Sequence, residues 1–280
     1  MKIILARHLG MCFGVRDAIA QAEQLAAEAP LTILGELVHN PIVRERLRLR
    51  GAVEGELDRP TAAARVMITA HGASDADRNA WRRTGAIVAD GTCPLVRYAH
   101  DNLRQLVNAG YFPVVIGKRG HVEVNGLIGD FPEAAVLSSS EEISKLPSRP
   151  RYGIISQTTQ PIAFVRQIVD HVRRAHPDSE VHFIDTVCKP TKDRQAALAE
   201  LIVQADLIVV VGGKTSNNTR QLVETCRNAG RRAIHIERPE ELNEEDFARV
   251  AVVGLTAGTS TLPETVGAVH KRLLEFSKNG

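Results

Sequence analysis

Ile87-Val88-Ala89-Asp90-Gly91-Thr92-Cys93 and Phe183-Ile184-Asp185-Thr186-Val187-Cys188 are two copies of one pattern, and that pattern decides the fold. In each, an apolar run leads through a short turn to a cysteine, with aspartate three residues before the thiol. A helical pattern follows each, over 96–109 and 191–204. A third copy starts the chain: Ile3-Ile4-Leu5-Ala6 leads to Cys12, ahead of a helical stretch at 14–27. Working outward, Gly35, Gly117 and Gly212 each close an apolar run 23 or 24 residues after a cysteine. Four residues past those glycines stand His39, His121 and Ser216. Each segment then has another strand ending in a polar cluster: Thr69-Ala70-His71-Gly72, Ser156-Gln157-Thr158-Thr159 and Thr256-Ala257-Gly258-Thr259-Ser260.

Strands alternating with helices predict an α/β fold with parallel sheets, and strands apolar on both faces predict sheets covered on both sides. The repeat predicts three pseudo-repeated α/β modules, 13–93, 94–186 and 187–280. No strand after residue 260 is available to lead to Cys12, so the third module is expected to be completed by residues 1–12. Ligands of open α/β sheets bind beyond the carboxyl ends of strands. The cysteines, histidines and hydroxyl residues of all three modules fall at such ends.

The 280 residues carry a formal net charge of +2, which excludes the dense basic face of a nucleic-acid binder. No apolar stretch approaches a membrane span and no signal peptide is recognisable, so a cytoplasmic protein with reduced thiols is expected. Four cysteines in this length do not make a disulfide framework. In that setting Cys12, Cys93 and Cys188 point to metal binding. Cys226, inside an apparent helix, is expected to be a packing or surface residue. There is no C-x-x-C run. Three thiolates leave one corner of a four-iron cube without a protein ligand, which suits an iron acting as a Lewis acid toward substrate. A Cys₃ zinc site with an open position is the competing assignment, in a hydrolase of a phosphorylated substrate. A non-enzymatic sensor of a cluster or anion is a second alternative.

His39, His71 and His121 each follow a strand end or lie in a glycine-containing turn, where a histidine suits phosphate oxygens or proton transfer. Glu123, two residues past His121, is read on an extended segment that points both side chains the same way, as a general acid would need. Gly212-Gly213-Lys214-Thr215-Ser216-Asn217-Asn218 opens a helix and is friendly to anions without having Walker spacing. The loop through Ser260 repeats that logic before the last helix. Simple helix capping is the ordinary reading of both loops.

The ordered set G-M-C-F-G-V (10–15), E-L-V-H-N-P (36–41), A-H-G (70–72), D-G-T-C-P-L-V (90–96), G-H-V-E-V (120–124), S-Q-T-T (156–159), D-T-V-C (185–188), T-K-D-R-Q (191–195) and T-A-G-T-S (256–260) resembles the 4-hydroxy-3-methylbut-2-enyl diphosphate reductase family. The resemblance implies a trefoil of three modules around a central [4Fe-4S] cluster held by Cys12, Cys93 and Cys188. It implies reductive removal of the substrate's allylic hydroxyl to give isopentenyl and dimethylallyl diphosphate, the last step of the non-mevalonate isoprenoid route. It assigns proton donation to Glu123 with Thr158 in the relay. It assigns diphosphate and substrate contacts to His39, His71, His121, Thr158, Ser216, Asn217, Asn218 and Ser260. Ferredoxin or flavodoxin is the implied electron donor. Met11, Lys189 and Asn217 depart from the family's usual residues, and none of them is a cluster ligand or the acid.

Overall fold

The computed structural model describes residues 1–279. Strands and helices alternate along them. The first stretch holds β1 (Lys2–Leu5), α1 (Phe13–Glu28), β2 (Leu31–Leu34), α2 (Pro41–Leu49), β3 (Ala52–Gly55), β4 (Arg65–Ile68), α3 (Asp75–Arg83) and β5 (Ile87–Asp90). Then come α4 (Pro94–Asn108), β6 (Phe112–Ile116), α5 (Val122–Ile128), β7 (Ala135–Leu137), β8 (Arg151–Ser156), α6 (Ile162–Ala175) and β9 (Glu180–Phe183). The rest is α7 (Lys189–Gln204), β10 (Leu207–Val211), α8 (Asn217–Asn228), β11 (Arg232–Ile236), β12 (Val252–Ala257) and α9 (Pro263–Asn279).

The strands form three parallel four-stranded sheets, ordered β3-β2-β4-β5, β7-β6-β8-β9 and β11-β10-β12-β1. One order recurs three times. The strand leading to a cysteine is always an edge strand: β5, β9 and β1. β1 pairs with β12 from Lys2 opposite Val252 to Leu5 opposite Leu255, so the amino-terminal strand does complete the last sheet.

Two compact units emerge. One contains residues 1–16, 38–43 and 189 onward, and so holds the sheet of β1, β10, β11 and β12. The other contains 17–37 and 44–188, and holds the remaining two sheets. In the first unit, period-2 alternation sends Leu207, Val209 and Val211 to one face of the sheet, against Val269, Leu273 and Phe276 of α9. It sends Ile208 and Val210 to the other, against Leu198 and Leu201 of α7 and Leu222 of α8. Each face is dry, which is why these strands read as unbroken apolar runs. The second unit repeats the scheme: Val114, Ile116 and Ile154 pack on α6, while Val115 and Ile155 pack with Leu103 of α4 and Leu127 of α5. Among the described residues, no helix is long and apolar enough to cross a membrane.

Candidate functional site

The strand order fixes where polar side chains can collect. In each sheet the two central strands (β2/β4, β6/β8 and β10/β12) are neighbours whose connections leave in opposite directions along the sheet, a topological switch point. The loops beyond their carboxyl ends carry the candidate residues. His39, His121 and Ser216 follow the first central strand, and His71, Thr158 and Ser260 follow the second.

The cysteines occupy one position three times. Each stands directly before a long helix: Cys12 before α1, Cys93 before α4 and Cys188 before α7. Each backbone N–H donates to a loop carbonyl beyond the neighbouring central strand. The bonds are Cys12 N to Thr259 O at 3.0 Å, Cys93 N to Ala70 O at 3.1 Å and Cys188 N to Thr158 O at 2.9 Å. Their acceptors adjoin Ser260 and His71 in two cases, and in the third the acceptor is Thr158 itself. All three side chains are partly accessible, and no cysteine forms a disulfide. The amino-terminal end of a helix favours negative charge, so sulfur ligands of a metal are well placed there.

The unit of residues 17–37 and 44–188 brings His71, Cys93, His121, Glu123, Thr158 and Cys188 together. His121 caps α5, its Nδ1 accepting the Glu123 N–H at 3.1 Å. Accepting there puts the ring proton of the neutral form on Nε2. Glu123 therefore lies in the first turn of a helix, and the extended segment expected from the sequence is not formed. The cap, rather than strand alternation, keeps the two side chains adjacent. His71 meets His121 edge to face, with ring centroids 5.6 Å apart. That approach is set by α5 lying on the loop after His71. A Cβ on Gly126 would fall 3.3 Å from Ala73 Cα, and the Asp130 carboxylate accepts the Asp75 and Ala76 N–H groups that open α3.

Glu123 is 1% exposed. Its Oε1 accepts the Thr158 N–H at 2.6 Å. Burial pushes the carboxyl up to about 7, against the opposing hydrogen bonds from the Thr158 backbone and hydroxyl. The backbone of Thr158 thus touches both the acid, through its N–H, and Cys188, through its C=O.

The other unit gathers Cys12, His39, Ser216, Asn217, Asn218 and Ser260. Asn40 caps α2 through Oδ1, accepting from Ile42 N at 2.9 Å and Val43 N at 3.3 Å, and its Nδ2 donates to Ser260 O at 2.7 Å. This ties the His39 turn to the Ser260 loop. On its other side the turn presses on Gly213, where a Cβ would lie 2.1 Å from His39 O. Ser216 caps α8 by accepting the Thr219 N–H, so the ordinary capping reading holds for its hydroxyl. Asn218 Oδ1 accepts Thr259 N–H at 3.0 Å. Asn217 Nδ2, Thr219 Oγ1 and Thr256 Oγ1 are buried there without a hydrogen-bond partner. Orphaned buried polar atoms are costly, and a donor such as the Asn217 amide is satisfied by an anion or a water.

Comparisons with known proteins place the chain in a family. The family model described as LytB protein matches residues 3–274. The chain belongs to this family. Within it, a protein of Aquifex aeolicus named 4-hydroxy-3-methylbut-2-enyl diphosphate reductase is 34% identical over 282 residues, covering 99% of this chain and 97% of its own length. A protein of the same name from Syntrophotalea carbinolica is 34% identical over 281 residues, covering 99% and 100%. Among solved structures, the E-1-hydroxy-2-methyl-but-2-enyl-4-diphosphate reductase of Plasmodium falciparum matches with a TM-score of 0.90 at 26% identity, over 96% of this chain and 87% of that one. A structure described as (E)-4-hydroxy-3-methyl-but-2-enyl diphosphate reductase, the terminal enzyme of the non-mevalonate pathway, matches with a TM-score of 0.71 at 33% identity, over 98% and 100%.

Some contributors in this LytB-family chain were given no role by sequence reasoning. Asn40 had a local signal, since Asn followed by Pro is a helix cap and first-turn pair. Thr219 had none, because its orphaned hydroxyl is a fact of packing. Arg194 stands inside T-K-D-R-Q, yet its partner Gly10 lies 184 residues away. Cys226 meets expectation: it is fully buried in α8, and burial pushes its thiol up to about 11.

Proposed function

We propose that this chain reduces 4-hydroxy-3-methylbut-2-enyl diphosphate, removing the allylic hydroxyl to give isopentenyl and dimethylallyl diphosphate. The single observation that carries the reading is Glu123, a buried carboxyl near neutrality whose partner Thr158 also accepts the amide of Cys188. The reaction takes in two electrons and two protons and releases one water. A group poised between proton-bound and ionised at working pH is suited to that proton supply.

The donor set fits an iron–sulfur cluster. Cys12, Cys93 and Cys188 are three soft ligands in equivalent turns, each at a helix amino terminus, and Cys226 is buried away in a core. These three would hold one [4Fe-4S] cluster, which supplies electrons singly and Lewis acidity at its iron without a cysteine. The chain's own residues do the rest. His39, His71, His121, Ser216, Asn217, Asn218 and Ser260 offer ring, amide and hydroxyl donors to the diphosphate. Binding energy from that remote group orients the reacting end toward Glu123 and Thr158. In the division into repeats 13–93, 94–186 and 187–280 with 1–12, each of the three cysteines stands within two residues of a boundary. A cytoplasmic ferredoxin or flavodoxin is the fitting electron donor.

Anaerobic purification tests the reading. A brown protein with visible absorption, bound iron and sulfide, and turnover of the allylic diphosphate with a strong one-electron donor is expected. A colourless protein that keeps stoichiometric zinc after cluster reconstitution would sink it. Glu123→Gln should retain substrate binding and lose roughly 10²–10⁴-fold in turnover, the usual range for a general acid. Unchanged turnover would remove Glu123 from the mechanism.

A further inference from the structure

The three cysteine turns differ in one respect. Before Cys93, Asp90 Oδ1 accepts the Thr92 N–H at 3.0 Å and also the Thr92 hydroxyl. Before Cys188, Asp185 Oδ1 accepts the Val187 N–H at 3.1 Å. These aspartates fold the backbone into the turn that presents each thiol. Before Cys12 the equivalent position is Leu9, which has no such oxygen.

Arg194 fills the gap. It is 6% exposed. Its Nε donates to Gly10 O at 3.1 Å and its Nη2 donates to the same oxygen, while Nη1 donates to Pro190 O at 2.7 Å. Gly10 has φ +74, and its N–H is held by Ala257 O at 3.1 Å. The turn is thereby fixed at both ends of one residue, two positions before Cys12. Pro190 lies two positions after Cys188. A rigid guanidinium fork can hold two carbonyls in fixed geometry as a lysine cannot. Burying a guanidinium is expensive, and the hydrogen bonds to the Gly10 and Pro190 carbonyls offset part of that cost.

We propose that Arg194 is a positioning residue for the metal centre: it locks the turn that presents Cys12 and places a fixed positive charge by that turn. The inference rests on the cluster reading above. A cubane core of charge +2 with three thiolates has a net charge of −1 and becomes more negative on reduction. A buried cation nearby stabilises the reduced form and raises the potential.

The test uses the full chain, anaerobically reconstituted, as wild type, Arg194→Lys and Arg194→Gln. Cluster release to a chelator, the midpoint potential and the apo-protein melting temperature are measured. Arg194→Gln should release its cluster roughly 10–100-fold faster, the range for residues that orient metal ligands, and its potential should become more negative. Arg194→Lys should keep the wild-type potential but still release faster, because the charge survives and the fork does not. Wild-type release and potential in a folded variant would overturn the proposal. So would a lowered apo melting temperature with release and potential unmoved, which marks a purely structural residue. If Arg194→Gln does not fold, Arg194→Lys decides by its release rate, with a wild-type rate overturning the proposal. Failure of the wild type to take up any cluster would instead strike the cluster reading itself.

Discussion

At Glu123, burial and charge oppose each other most directly. The carboxyl rises from 4.5 to about 7 because the folded chain withholds water from it. The sign of the stability effect follows. Below the unfolded value both states hold the proton, and the fold keeps its full stability. As pH rises toward about 7 the unfolded chain ionises first, and on the order of 3 kcal/mol is lost. Glu123→Gln cannot titrate. Wild-type apo-protein should therefore lose stability relative to Glu123→Gln between about pH 5 and about pH 8, by that order of magnitude, in urea unfolding. Parallel pH dependence in the two would show an ordinary carboxyl. The same protonation predicts that turnover falls above about pH 7 as the acid is lost. A rate flat through pH 9 would contradict it. His100 is the counterexample in the same unit. Burial, with Arg78 adding to it, pushes His100 down to about 4, so it stays neutral across this range and offers no competing titration.

At the level of elements, close approaches of glycine backbone position the loops. A Cβ at Gly213 would lie 2.1 Å from the His39 carbonyl, a backbone atom that no rotamer change can move aside. Gly213→Ala should cost about 1–3 kcal/mol and raise KM more than it lowers kcat, since the His39 turn is displaced. Gly267, exposed within α9, has nothing within 4 Å of its notional Cβ. Gly267→Ala should stabilise by about 0.5–1 kcal/mol with unchanged kinetics. Thermal melts and steady-state rates separate the two, and equal effects would remove the packing argument. The same contrast explains what could be read in the sequence. Central strands such as Val114-Val115-Ile116 were legible because both their faces are dry. The edge strands β3, β7 and β11 were not singled out, being short or interrupted by polar residues such as Glu54 and His235. Helices α2, α3 and α5 also went unread. Two are only nine residues long and arginine-rich, and α5 has seven residues with a glycine inside. His39, His121 and Ser216 were legible because they follow strand ends at a fixed interval, and His71, Thr158 and Ser260 because they lie just past a second strand in each segment. Their mutual contacts were not, because Thr158 N–H to Glu123 and Arg194 to Gly10 join distant stretches of chain.

Across the molecule, the three sheets share one order but divide the chemistry. A cysteine recurs in every copy, whereas the buried acid belongs to the second sheet's loops and the orphaned amide to the third's. Repetition supplies the frame, and single departures from it supply the candidate acid and the orphaned amide. Cys226 is the thiol outside that frame. It packs with Leu198, Ile208, Val210 and Leu222 between α7, α8 and the sheet, and burial holds its thiol at about 11. A thiol must ionise and be reached to react, so this one is inert while the unit is folded. Cys12, Cys93 and Cys188 are partly accessible and should alkylate rapidly in the apo-protein. The slow fourth reaction should then track opening of the β10–β12 core, rising in urea with the slope of global unfolding. Cys226→Ala should leave iron and sulfide content unchanged, while alanine at any of the other three should abolish stable loading. Cluster loss on Cys226→Ala, with the apo-protein still folded, would mean that the threefold positions do not define the ligand set.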